Sequence, residues 1–196
     1  ALSEAGVGTR FGIWLIPERP YVVLLDLESL RARLGQIKYF MWENHGVATP
    51  ADDPLVDQVL LFGQAVLEFL RFLAGQEGNP PVVAHFHEWM AGSCLPEIRR
   101  SKLPISTVFT THATLLGRYL ASSDSQFYER LTSLRPADEA RRFNIESRHS
   151  LERGAARAAH VFTTLSDLTA LECRHALERE PDILVPNGMH LELPVA

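Results

Sequence analysis

From residue 81 to residue 185, short apolar runs alternate with stretches of helical spacing, and no other feature of the 196 residues restricts the fold as much. Pro81–Phe86, Ile105–Thr110, His160–Thr164 and Asp182–Val185 are short and rich in β-branched and aromatic residues, so each reads as a strand. Between them, Gly92–Ser101, Ala113–Leu120, Arg141–Ala158 and Asp167–Glu178 read as helices, the last with Ser166 as its N-cap. Strands joined through helices of this length require crossovers, which are right-handed and make a parallel sheet with helices on both faces. The expected class is α/β, a doubly wound, Rossmann-like parallel sheet.

Upstream, Tyr21–Leu27 (YVVLLDL) reads as a buried strand, with Phe11–Ile16 as a partner cut off by Pro17. Asp57–Leu73 carries apolar residues at helical spacing and stops at Gly75. Residues 122–140 break the rhythm and read as an excursion of loop and short helix on the ligand edge. The whole, 1–196, is expected to be one domain, its length sufficing for one large core. The first residue is not Met and the last follows a strand-and-turn pattern, so a piece of a longer protein is expected.

Composition narrows the partners. Nineteen Lys plus Arg against 24 Asp plus Glu give a net charge of −5, which argues against nucleic acid. No apolar run approaches the roughly 18–20 residues of a membrane span. Cys94 and Cys173 lie far apart without a C-x-x-C pair and are expected to be reduced, buried helix residues. A cytoplasmic compartment is the corresponding expectation.

In a parallel α/β sheet, ligands meet the carboxyl ends of the strands, where helix N-termini and loop amides converge. Thr111–Tyr119 (THATLLGRY) sits at such an edge and carries His112 and Arg118. Arg offers a phosphate two parallel donors on a permanent charge. The plainer alternative pairs Arg118 with an acid of Asp124–Glu129 and leaves His112 to cap a helix. On the preceding strand, His85 and His87 face the same way and Glu88 follows. Three roles stand open for them: hydrogen bonds to nearby loops, a metal site completed by His112, or the wall of an organic-ligand pocket with Glu88 and Trp89. Asn187–Gly188 reads chiefly as a turn. A phosphate loop of the G-x-x-x-x-G-K-[ST] type, a G-x-G-x-x-G after a strand and a G-x-S-x-G elbow are all missing.

Five segments together resemble the eukaryotic-type glycogen synthases of animals and fungi. They are Trp14–Asp26 (WLI and PYVVLLD), Val82–Gly92 (VVAHFHEWMAG), Leu103–Leu120 (LPISTVFTTHATLLGRYL), Ala159–Ser166 (AHVFTTLS) and Pro181–Gly188 (PDILVPNG). The resemblance implies a GT-B glycosyltransferase of two Rossmann-like lobes, with this chain most of the N-terminal lobe and the C-terminal lobe absent. It implies retaining transfer of glucose from UDP-glucose to the 4-hydroxyl of a glycogen chain end, without a catalytic metal or other cofactor. His112 and Arg118 match the family's cleft histidine and arginine and take the catalytic roles, at the glucosyl and diphosphate parts of the donor. His87, Glu88, Trp89 and Asn187 are expected to bind substrate beside them. Implied partners are UDP-glucose, glycogen, a glycogen-priming protein and further copies of the chain in a tetramer, with no nucleic acid and no membrane. A non-catalytic homologue that binds or scaffolds glucan is the competing expectation. The chain departs from the family at Ile13, where an arginine is usual, and at Met189–Leu191 after the PNG turn.

Overall fold

The computed structural model describes residues 6–50, 52–78 and 80–188, so Met189–Leu191 lie outside the described residues. Strands β1 (Gly8–Ile13) and β2 (Tyr21–Asp26) pair antiparallel as a separate hairpin. A 3-10 turn at Glu28–Arg33 leads into α1 (Leu34–His45) and then α2 (Pro54–Ala74). The alternating part begins with β3 (Val82–His87), α3 (Glu88–Ala91), a 3-10 turn at Gly92–Cys94 and α4 (Leu95–Arg100). Next come β4 (Ile105–Thr110), α5 (Leu115–Ser123), α6 (Phe127–Arg130), α7 (Pro136–Arg142) and α8 (Glu146–Ala158). The described chain closes with β5 (Val161–Thr164), α9 (Asp167–Glu172), a π turn at Cys173–Leu177 and β6 (Ile183–Leu184).

The sheet is parallel and runs in sequence order, β3-β4-β5-β6, as the alternation predicts. Register aligns Phe86 with Phe109 and Phe109 with Phe162, so three aromatic side chains stand in a row on one face. Phe109 and Phe162 stack at 5.7 Å, and the row meets Leu95, Ile98, Ala155 and Cys173 from the crossover helices. Each buried phenylalanine contributes roughly 1.5–3 kcal/mol by leaving water. A second core joins α1 and α2 to Trp89 and Leu151. Both cysteines are free and buried.

Four expectations are corrected. The strand at Tyr21–Leu27 is not buried: Tyr21 is 75% exposed, because among the described residues β2 pairs with β1 alone, and Leu25 and Leu27 pack toward a core. Helices on both sheet faces are not seen among the described residues, since the face opposite the phenylalanines leaves Val83 65% exposed. The single helix at Arg141–Ala158 is two, broken at Asn144, which takes φ +56°. Asn tolerates that left-handed turn better than most residues. The helix expected at Gly92–Ser101 starts earlier, at Glu88, and passes through a 3-10 segment. The helix at Leu34–His45 had no counterpart in the sequence reading. By contrast, Asp53 caps α2 by accepting from Leu55 and Val56 N–H, and Ser166 caps α9 through Thr169 N–H, as its position predicts.

Gly92 explains how closely α8 and the sheet approach. A Cβ there would stand 2.7 Å from Ala155 Cβ and 2.9 Å from the Phe109 ring. Gly92→Ala is therefore expected to destabilise the fold by about 1–3 kcal/mol through overpacking, read as a lower urea midpoint with an unchanged slope.

Candidate functional site

β3 and β4 end level with one another, His87 opposite Thr110, so the residues that follow emerge side by side. At the end of β3 the chain turns sharply. Glu88 takes φ +65° and opens α3, a conformation that costs a non-glycine residue roughly 1–3 kcal/mol and persists only when its surroundings hold it. Its carboxylate supplies the hold, accepting the His112 N–H at 2.9 Å.

The turn from β4 into α5 is fixed by two further glutamates. Glu152 of α8 accepts the Leu115 N–H at 2.9 Å and lies 3.1 Å from the Thr111 hydroxyl. Glu172 of α9 accepts from Thr114 N–H and from the Thr114 hydroxyl, and its other oxygen accepts from the Tyr128 hydroxyl. Thr114 in turn caps α5 by accepting Gly117 N–H at 2.9 Å. Burial and the carboxylate beside it push the Tyr128 phenol upward. Glu152 and Glu172 were not singled out by the sequence; glutamates inside amphipathic helices ordinarily face water, and nothing local marks these two as buried.

Three histidines line the adjoining edge. The His85 and His87 rings lie 4.2 Å apart, and His87 Nδ1 is 3.3 Å from His112 Nε2. His85 bonds the Thr110 hydroxyl at 2.7 Å. Desolvation, then the neighbouring His85 and His112, hold His87 below the ordinary histidine range. Among the described residues no three of His, Cys, Asp and Glu are grouped to hold a metal ion.

Arg118 lies in the first turn of α5, nearer the edge than a helix start at Ala113 would place it. It pairs with Glu88, Nη2 to Oε1 at 3.6 Å, and is 54% exposed. The alternative partner, Asp124, is taken by Arg130. His87, Glu88, His112 and Arg118 thus come together. Trp89 does not join them: it is buried among the α1 and α2 side chains, where α3 turns it away from the edge. Asn187 is exposed beyond β6, with the carboxyl ends of the strands.

The fold and site define an α/β domain with a histidine- and arginine-bearing edge at the carboxyl ends of a parallel sheet. The family model for glycogen synthase matches residues 1–193. The chain is 43% identical over 192 residues to the liver glycogen (starch) synthase of Rattus norvegicus, covering 98% of this chain and 27% of that protein. Glycogen (starch) synthase isoform 2 of Saccharomyces cerevisiae is 43% identical over 191 residues, and the human liver form 42% identical over 192. The chain belongs to the glycogen synthase family and spans about a quarter of the length of these curated relatives.

Two outcomes test this geometry. A Cβ on Gly117 would stand 2.7 Å from both Glu172 Cδ and Thr114 Oγ1. Gly117→Ala is expected to cost roughly 1–3 kcal/mol and to speed amide exchange at Thr114 and Leu115, checked by hydrogen exchange. The second concerns acid. Burial holds His149, which bonds the Ala176 carbonyl, below its ordinary value, as it does His87. Such histidines bind protons better unfolded, so their contribution is present above about pH 6.5 and lost as pH falls through their lowered values. Urea midpoints are expected to fall on that side, less steeply in His149→Gln.

Proposed function

We propose that this chain is the N-terminal, Rossmann-like lobe of a two-lobed GT-B glucosyltransferase. In this reading the whole protein transfers glucose from UDP-glucose to the 4-hydroxyl of a glycogen chain end with retention, and residues 122–140 border the cleft. The observation that carries it is Arg118: a half-exposed guanidinium at the strand-end edge, beside His112, whose partner is Glu88 at 3.6 Å. An exposed pair of that length is worth about 0–1 kcal/mol, so an incoming diphosphate can take the arginine over at little cost.

Retaining glucosyl transfer passes through a transition state with cationic character on the sugar, while negative charge grows on the departing phosphate. Arg118 would meet that charge, and a fixed cation there stabilises the transition state more than the ground state. His112, with its N–H fixed by Glu88, would place the sugar ring against it. His87 would border the same pocket, and Glu88 would orient both His112 and Arg118. Asn187 would approach from the β6 edge. Trp89, buried, would support the elbow and take no part in binding. The isolated chain, lacking an opposing lobe, is expected to be inactive. A cytoplasmic enzyme assembled as a tetramer, using a primed glucan, completes the reading.

The test is labelled glucose transfer to glycogen by the whole protein beside its Arg118→Ala variant. The variant is expected to lose on the order of 100-fold or more in kcat/KM. Transfer untouched by the substitution would remove Arg118 from the site. Failure of the parent with both UDP-glucose and ADP-glucose would favour the glucan-binding homologue instead.

A further inference from the structure

We propose that Glu152 carries a proton at neutral pH and, as a carboxylic acid, is a positioning residue for the turn that bears His112 and Arg118. The argument begins with a proton count. The Thr111 hydroxyl has one hydrogen and two neighbours at bonding distance, the Ala113 carbonyl at 3.2 Å and Glu152 Oε1 at 3.1 Å. Were Glu152 ionised, both would be acceptors competing for that one hydrogen, and the fully buried carboxylate would have to share it with the partly buried Ala113 carbonyl. A proton on Oε1 resolves the conflict. Oε1–H donates to Thr111 Oγ1, Thr111 donates to the Ala113 carbonyl, and Oε2 accepts Leu115 N–H.

The surroundings agree. Glu152 is fully buried, and no Lys, Arg or His among the described residues forms an ion pair with it. Glu88 faces it from the β3–α3 elbow, Glu172 from α9 and the Cys173 thiol from the π turn. Arg118 of α5 is engaged by Glu88 instead. On α4, Glu97 is taken up by Arg71 and Arg100, and on α7 Arg141 and Arg142 pair with Asp138 and Glu139 at the surface. Earlier on α8 itself, His149 donates to the Ala176 carbonyl. Ionised, Glu152 would be an unpaired buried charge beside two more of the same sign, the costliest arrangement available to it. Burial first, and the neighbouring carboxylates after it, outweigh its two hydrogen bonds and push the group from 4.5 to about 8.

A carboxyl with a raised value stabilises the fold fully below its unfolded value near 4.5, and that contribution is lost as pH rises through about 8. The turn should therefore loosen on the alkaline side. Its effect on glucosyl transfer rests on the function proposed above; the protonation itself does not.

The experiment compares the whole protein with its Glu152→Gln and Glu152→Ala variants. Gln supplies a donor for Thr111 and an acceptor for Leu115 without a titrating proton. Infrared spectra of the parent at pH 7 should show a protonated-carboxyl stretch that is missing from Glu152→Gln and fades above about pH 8. Urea midpoints of the parent should fall between pH 6.5 and 9 more steeply than those of Glu152→Gln. Transfer should survive in Glu152→Gln with its alkaline decline flattened, and drop on the order of 10- to 100-fold in kcat for Glu152→Ala. A missing infrared band, or identical pH dependence of parent and Gln variant, would overturn the protonation. Activity of Glu152→Gln as low as that of Glu152→Ala would overturn the positioning role. If the parent transfers no glucose, the function proposed above fails alone, and the spectra and midpoints still decide this one.

Discussion

The turn between β4 and α5 presents backbone N–H groups at His112, Thr114 and Leu115 that neither strand nor helix can satisfy. Each finds a glutamate side chain, and the three come from α3, α9 and α8, elements separated by up to 84 residues of chain between Glu88 and Glu172. Unpaired, each amide would cost about 1–3 kcal/mol. The loop therefore fixes where those helices must stand, and they fix the loop. Gly117 belongs to the same constraint, since only a residue without a side chain leaves room for the Glu172 carboxylate.

That solution has a functional consequence. The N-terminus of a helix after a strand is ordinarily the place where backbone amides receive a phosphate. Here Leu115 N–H already belongs to Glu152 and Gly117 N–H to Thr114. An anion at this edge must then be met by side chains, and Arg118 is the cation best placed to do so. Glu88 keeps it at hand without binding it tightly, because the pair is long and the arginine half exposed. One carboxylate thus holds the His112 amide and parks the arginine, which accounts for the left-handed backbone it must adopt.

Periodicity and residue type were enough to place the parallel sheet, the α9 cap at Ser166 and the edge carrying His87, Glu88, His112 and Arg118. What they could not supply was long-range. Trp89 looked like a cleft wall because it follows Glu88, yet the positive φ at Glu88 turns the next residue inward. Tyr21–Leu27 looked buried because apolar composition does not reveal how many faces are covered; among the described residues β2 has only β1 as a partner. Glu152 and Glu172 occupy helical positions indistinguishable by sequence from solvated ones, and only the converging turn explains their burial. The break at Asn144 carried a weak local signal, overridden by the helical pattern on either side.

Strand register links the core to the site more tightly than either suggests alone. Alternation along β3 puts Phe86 on the helix-covered face and His85 and His87 on the other, and the same alternation in β4 separates Phe109 from Thr110. A slip of one residue would expose the phenylalanine row and bury the histidines, exchanging a favourable burial for several unsatisfied ring nitrogens. The driving force that aligns Phe86, Phe109 and Phe162 therefore also sets His85 against Thr110 and His87 against His112. Geometry at the edge is thereby inherited from hydrophobic packing one residue away. The carboxylate-held turn then fixes the last degree of freedom, the direction in which α5 leaves the sheet with Arg118 in its first turn.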